Sequence, residues 1–150
     1  LKKEITATHL CDIDIDTFRT HQHLISDPIL EKRALHVITE NQRVKQARET
    51  LLSGDLKKFG NLMYASHQSL QDLYEVSGKE LDTIVEFCKT YSACIGARMT
   101  GAGFGGCAIA LVRKDSFNDF AANLIRYYKE RLGFEPEVFA SVIGDGVKEL

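Results

Sequence analysis

The stretch with the clearest capacity for chemistry is Gly-Ala-Gly-Phe-Gly-Gly at residues 101–106, which holds four of the chain's eleven glycines. Glycine has no Cβ, so it adopts positive φ readily and lets backbone amides approach a ligand. Successive N–H groups in such a stretch form a concave donor surface that suits an anion such as phosphate. The spacing therefore predicts an anion-binding loop.

A tight turn between two close-packed strands is the alternative interpretation, because it also requires glycine. The density of glycines and the Thr100 hydroxyl at the entrance favour the anion site over a plain turn. We therefore predict a cofactor-binding site made of Thr100, Gly101, Ala102, Gly103, Phe104, Gly105 and Gly106.

Two common phosphate-binding motifs do not fit this loop. Gly101, Gly103 and Gly106 match G-x-G-x-x-G, but that dinucleotide motif opens a helix directly. Here the short apolar run Cys107–Val112 follows, which is typical of a strand. A Walker loop needs a lysine after its last glycine, where this chain has Cys107.

The elements that position the loop follow from periodicity and end signals. Helices are predicted at about 16–25, from Asp27-Pro28 to Gly54, from Asp55 to Tyr74, after a Ser77–Glu80 capping box to Tyr91, and over 116–132. Strands are predicted at 93–99, Cys107–Val112 and 137–143. This order predicts a single α+β domain over residues 1–150, with a small, mainly antiparallel sheet and helices packed on one face.

Several polar residues outside the loop receive structural interpretations. His36, Glu40 and Arg43 share one helix face, and we favour a surface network worth a few tenths of a kcal/mol per pair over a contact with another domain. His67 is predicted to be a structural histidine, because adjacent helical residues such as Ser66 point in diverging directions. His21 and His23 form no metal site, since no second ligand pair accompanies them.

Composition narrows the classes of function. A net charge of −2 gives no basic surface for nucleic acid and no polybasic membrane patch. The longest apolar runs are about six residues, far below the ~20 that a membrane span needs.

The cysteines lack C-x-x-C pairing, so we expect buried free thiols in a reducing cytoplasm at Cys88, Cys94 and Cys107, and assign no chemistry to Cys11. The chain begins at Leu1 without methionine, as a piece of a longer protein would.

Residues 96–107, Gly-Ala-Arg-Met-Thr-Gly-Ala-Gly-Phe-Gly-Gly-Cys, resemble the third, C-terminal glycine motif of the GHMP small-molecule kinases, in the form found in galactokinases. The resemblance spans roughly residues 30–113. It also rests on three upstream segments: His36-Val37 with Glu40-Asn41 and Arg43-Val44, Met63 with Ser66-His67-Gln68-Ser69-Leu70, and Tyr74-Glu75-Val76-Ser77 with Glu80-Leu81-Asp82.

The resemblance implies the ferredoxin-like C-terminal domain of a kinase that phosphorylates α-D-galactose at C1 with ATP and Mg²⁺. It places residues 100–106 against the nucleotide phosphates and sugar at the cleft between domains. The sequence itself offers Arg98 as a further candidate beside the loop. It also implies that the catalytic residues, the metal ligands and most ATP contacts belong to an N-terminal half absent from this chain, so we assign no catalytic or metal residue here. Ala102 stands where some relatives have glycine, which puts a positive φ there in doubt.

These features predict a cytoplasmic protein that partners galactose, ATP and the N-terminal domain of its own chain, and that is inactive as the fragment alone. A related GHMP kinase or a non-catalytic galactose sensor is one alternative. A free-standing module that holds a protein partner through its sheet face or glycine loop is another.

Overall fold

Helices and one β-hairpin make up the part of the chain that the computed structural model describes, residues 7–141 and residue 144. The elements in order are α1 (Ile15–His21), α2 (Pro28–Ser53), α3 (Leu56–Ser69), a π-helix (Leu70–Tyr74), α4 (Lys79–Thr90), β1 (Cys94–Thr100), β2 (Cys107–Val112) and α5 (Phe117–Leu132). Short 3₁₀ turns lie at Leu10–Asp12, Gln22–Leu24 and Lys114–Ser116. The predicted α+β class with an antiparallel sheet is confirmed.

The long helix α2 has both of its ends where the sequence predicts them. The Asp27 carboxylate accepts hydrogen bonds from the first free amides, with Ile29 N at 2.8 Å, and Pro28 occupies the first helical position. Gly54 ends the helix with a left-handed φ of 74°. These are local signals, so they do not depend on the rest of the fold.

The second predicted helix changes type before its end. The α-helix α3 ends at Ser69, and one π-helical turn continues to Tyr74. The Arg33 guanidinium holds this turn, because it donates to the Leu73 carbonyl and, at 2.7 Å, to the Glu75 carboxylate. Glu75 then closes the turn with a φ of 60°. Contacts with α2 therefore decide the geometry here.

The capping box predicted at Ser77–Glu80 is wrong. Gly78, with a φ of 88°, is the residue that precedes α4, and no side chain caps this end. Ser77 is instead buried. The chain must turn sharply at Gly78 because Val76 is tied to the glycine loop, where its carbonyl accepts the Phe104 amide at 2.8 Å.

The strands pair in an antiparallel register that runs from Cys94↔Val112 to Thr100↔Cys107, as the predicted strand–loop–strand unit requires. The opposite side of β1 is covered by α3. A Cβ built on Gly60 of α3 would lie 1.8 Å from the Ile95 carbonyl oxygen, and one on Gly96 would lie 2.4 Å from the Gly60 Cα. Helix and strand therefore meet backbone to backbone, which only glycine permits.

The core divides into three clusters of buried side chains. One joins α4, β1 and α5 through Val85, Phe87, Cys88, Ala97, Phe120 and Leu124. A smaller one lies beneath the glycine loop and consists of Leu70, Leu81 and Met99. The third packs the N-terminal segment on α2 through Ile13, Phe18, Ala34 and Ile38.

The strand predicted at 137–143 does not form over residues 137–141, which are irregular; residues 142–143 lie outside the described residues. A strand requires a hydrogen-bonding edge, and within the described residues this segment pairs with neither β1 nor β2. Its side chains are placed otherwise: Val138 packs on the α4–β1–α5 cluster, while Phe139 is 73% exposed.

All four cysteines are free thiols, as predicted for Cys88, Cys94 and Cys107. Cys88 is buried and Cys94 is partly buried, but the expected burial of Cys107 is wrong. Cys107 is exposed because it opens β2 directly after the glycine loop, paired with the equally exposed Thr100. None of the helices in the described part of the chain has the length and hydrophobicity of a membrane span.

Candidate functional site

The predicted site residues lie together as the connection of the β1–β2 hairpin. Thr100 and Cys107 form its last strand pair, and residues 101–106 make the turn. Positive φ occurs at Gly101 (75°), Gly103 (90°), Phe104 (55°) and Gly105 (90°). Ala102 is not among the positive-φ residues, so alanine is compatible with this loop.

The loop is anchored to the segment that leads into α4. Phe104 N donates to the Val76 carbonyl at 2.8 Å, and a Cβ on Gly103 would lie 2.0 Å from that same oxygen. Gly106 N donates to Gly103 O at 3.3 Å, which closes the turn on itself. The middle of the loop, Gly103 and Phe104, is therefore fixed against Val76, although every residue of the loop except Gly103 is exposed.

Backbone N–H groups without an acceptor among the described residues lie close together where the loop adjoins the N-terminus of α4. Within residues 7–141, the amides of Ala102, Gly103 and Gly105 have no protein acceptor. A Cβ on Gly78 would lie 3.8 Å from Gly105 N, so the uncapped N-terminus of α4 adjoins the loop. Such a helix end carries a partial positive charge and free N–H groups, both of which favour an anion.

One acidic side chain shares this place. The Glu80 carboxylate approaches Gly78 and Gly105, lying 3.6 Å and 3.9 Å from where their Cβ atoms would be. A phosphate bound here would meet that negative charge, which a divalent cation on the phosphate would offset. The position of Glu80 beside the glycine loop could not be predicted from the sequence, because the Ser77–Glu80 pattern indicated that this side chain caps the N-terminus of the helix.

The entrance of the loop is held from α3. Met99 N donates to Nδ1 of His67 at 3.2 Å, and Nε2 of His67 lies 3.1 Å from the Asp82 carboxylate. His67 is only 2% exposed, which confirms the prediction of a structural histidine. Burial lowers its pKa, and the nearby Asp82 carboxylate opposes that shift without reversing it.

The Glu40 network is not the surface feature predicted from the helix face. Its carboxylate is half-buried and accepts hydrogen bonds from Arg43 at 2.8 Å, from Ser66 of α3, and from Arg98 of β1 at 3.3 Å. Burial alone would raise the pKa of Glu40, but the Ser66 and Arg43 hydrogen bonds outweigh it and lower that pKa. The network ties three elements together, so it stabilises the fold beyond what one helix face provides.

This geometry also places Arg98 and His36. The Arg98 guanidinium donates from Nη1 to Glu40 and from Nε to the Met99 carbonyl, and a place for it beside the phosphates stays a prediction. His36 lies on α2 and faces the end of α3, where its Nδ1 is 2.8 Å from the Ser69 hydroxyl and its ring stacks on Tyr74. Neither side chain belongs to the loop.

An open groove of about 380 Å³ lies elsewhere, between α1, α2 and the π-helix. None of its lining residues comes from the glycine loop; they are Ile15, Arg19, Leu35, Thr39, Gln42, Arg43, Gln46, Ser69 and Leu73. In the part of the chain with described structure, no three His, Cys, Asp or Glu side chains are grouped to hold a metal ion.

Comparison with known proteins adds an independent line of evidence. Residues 47–130 match the family model described as "GHMP kinases C terminal". The chain is 48% identical over 148 residues to a galactokinase of Staphylococcus carnosus and 45% identical over 150 residues to one of Enterococcus faecalis. These alignments cover 99% and 100% of this chain but only 38% and 39% of the relatives.

The fold agrees with the sequence comparison. The crystal structure of Lactococcus lactis galactokinase complexed with galactose superimposes with a TM-score of 0.87 and 43% identity, over 89% of this chain and 34% of that one. The family model covers more than half of the chain and includes the glycine loop, the α3 anchor and α4. A glycine-rich hairpin seated on a helix N-terminus, in a fold that superimposes on a solved galactokinase, thus belongs to a chain of the GHMP kinase C-terminal family.

Proposed function

We propose that this chain is the C-terminal domain of a galactokinase, an enzyme that transfers the γ-phosphate of ATP to the C1 hydroxyl of α-D-galactose. The similarity that supports this extends over the whole chain and involves several galactokinases. The observation that carries the proposal is the loop itself, with unpaired amides of Ala102, Gly103 and Gly105 beside the free end of α4.

Phosphoryl transfer depends mainly on positioning and on stabilising the charge of the phosphates. The loop would supply fixed backbone dipoles at residues 100–106, which need no reorganisation when the charge develops. In this proposal Mg²⁺, the base and the galactose contacts come from the N-terminal part of a longer cytoplasmic chain. This domain would then form one wall of the nucleotide site.

Binding of ATP·Mg²⁺ to the isotope-labelled chain, followed through its amide NMR spectrum, tests the role of the loop. We expect saturable shifts at Gly101, Gly103, Gly105 and Gly106, because these residues carry or flank the free donors. Galactose added alone should cause no shift. If the glycine amides stay unchanged while the fold is intact, the chain by itself provides no preformed phosphate site.

The chain alone is expected to have no galactokinase activity. Its loop contributes phosphate contacts but none of the general base or metal ligands that the reaction needs. A coupled assay for ADP should detect no galactose-dependent release above the background. Galactose-dependent release would contradict the proposed division of labour between the two halves.

A non-catalytic galactose sensor built on the same fold remains the second candidate, since the similarity reaches only this part of the relatives. Activity of the longer chain separates the two proposals. A kinase should form galactose 1-phosphate, whereas a sensor should bind galactose and ATP without turnover.

A further inference from the structure

We infer that His67 is the positioning residue of the glycine loop: as a neutral imidazole with its proton on Nε2, it holds the Met99 amide and thereby sets the course of the backbone into the phosphate-binding residues. The expected effect of His67 on ATP binding rests on the function proposed above. The expected effect on the conformation of the loop does not.

Hydrogen bonding fixes the tautomer of His67. Nδ1 must be the acceptor, because the group opposite it at 3.2 Å is the Met99 N–H. In the neutral ring the proton then resides on Nε2, which donates to Asp82 Oδ1 at 3.1 Å. Asp82 is itself held, since its other oxygen accepts from Gln71 Nε2 at 2.8 Å. The imidazole is thus oriented from both sides.

The Met99 amide connects this arrangement to the loop. Met99 is two residues before Gly101, and its side chain is buried with Leu70 and Leu81. The Met99 methyl group lies 3.0 Å from where a Cβ on Gly103 would be, so the same residue supports the loop from below. A shift of the Met99 peptide would therefore displace both the entrance and the floor of the loop.

The hydrogen bonds of the loop residues themselves do not fix the entrance, where β1 is held by its pairing with β2 and by His67. Phe104 N bonds to the Val76 carbonyl and Gly106 N to the Gly103 carbonyl, both after the loop has already turned. On the side away from β2, the amide at the entrance has His67 as its acceptor. Replacing that acceptor should change the loop even when the packed core is retained.

Two substitutions separate an acceptor from a space-filling role. Asparagine places an oxygen at the position of Nδ1, whereas glutamine is closer in size to histidine but carries its amide one bond farther out, near Nε2. If His67 positions the loop, His67→Asn should keep the loop amide shifts and His67→Gln should move them. If His67 only fills space, glutamine should be the better replacement.

The same pair of variants is then titrated with ATP·Mg²⁺. We expect His67→Asn to bind within about threefold of the parent and His67→Gln to bind about tenfold more weakly. Equal affinities of the two variants would overturn the inference. If the parent chain itself binds no ATP, the proposed function fails for this chain, while the loop shifts of the unbound variants still decide the role of His67.

The unsubstituted chain provides a test that does not depend on how well a variant folds. Ring-nitrogen NMR should show His67 neutral with its proton on Nε2 near pH 7, and a proton on Nδ1 would overturn the inference. The charged groups that act on this ring are Asp82 and Lys89 of α4 and Arg98 of β1. Burial and the two cations keep its pKa below the ordinary histidine value, against the pull of Asp82.

Acid should therefore break the hydrogen bond between the Met99 amide and His67 at the entrance of the loop. A protonated Nδ1 faces the Met99 N–H with a second donor, so the hydrogen bond is lost. Because the pKa is depressed in the folded chain, the stabilisation is complete above the ordinary histidine pKa and declines as the pH falls below it. The amides of Met99 and Gly101 should follow the His67 midpoint; if they follow no ring titration, His67 does not position the loop.

Discussion

Gly60→Ala is expected to lower the free energy of unfolding by about 3 kcal/mol or more, a large part of the stability of an ordinary domain. The new Cβ would lie 1.8 Å from the Ile95 carbonyl oxygen and 2.6 Å from its carbon. Both are backbone atoms, so no side chain can rotate out of the way. In a helix free of such contacts, the same change would stabilise by about 1 kcal/mol. A loss of stability would therefore show that Gly60 of α3 contacts the backbone of β1, whereas a gain would show that it does not.

Neither partner in this contact can withdraw without breaking other interactions. The strand β1 is paired with β2 along its other edge and bonded to His67 at Met99. The helix α3 is held by the hydrogen bond from Ser66 to Glu40. Moving α3 away would therefore cost the Glu40 network and the His67 hydrogen bond together.

Urea denaturation followed by circular dichroism measures this effect. Asn61→Ala is the matched control, because Asn61 is the exposed neighbour on the same helix and should change the free energy of unfolding by less than about 0.5 kcal/mol. A Gly60→Ala chain within about 1 kcal/mol of the parent would show that α3 and β1 do not meet backbone to backbone.

The features that could be predicted from the sequence are those with local causes. The ends of α2 follow from Asp27, Pro28 and Gly54, each of which acts within one turn of the helix. The glycine loop follows in the same way, because a cluster of glycines marks backbone that needs positive φ wherever it lies. Its hairpin context was predicted from the apolar strand-like runs on either side.

The features that could not be predicted depend on residues far apart in the chain. The Met99–His67 hydrogen bond spans 32 positions, and the Arg98–Glu40 ion pair spans 58. The i, i+3 spacing of Glu40 and Arg43 predicted a surface pair because spacing within one helix carries no information about Ser66 or Arg98. The strand predicted at 137–143 shows the same limit: its composition favours a strand, but only a partner edge makes one.

Gly103→Ala is expected to abolish the ATP-induced shifts of the loop while the chain stays folded. The substitution forces alanine to a φ of 90° and places a Cβ 2.0 Å from the Val76 carbonyl oxygen. That oxygen also accepts the Phe104 amide, so the clash displaces the bond that seats the loop. The three core clusters contain none of residues 101–106, and the fold should therefore survive with a loss of about 3 kcal/mol or less.

Gly101→Ala separates the clash from the backbone strain that both changes share. Gly101 also has a positive φ, 75°, but a Cβ there would meet nothing within 4 Å. Its cost should be the strain alone, about 1 kcal/mol, and it should keep most of the affinity for ATP·Mg²⁺. Amide NMR titration and urea denaturation of the two variants give affinity and stability side by side. If Gly103→Ala binds ATP·Mg²⁺ as well as Gly101→Ala, the seating of the loop on Val76 is irrelevant to the phosphates, and their contacts must lie elsewhere on the domain.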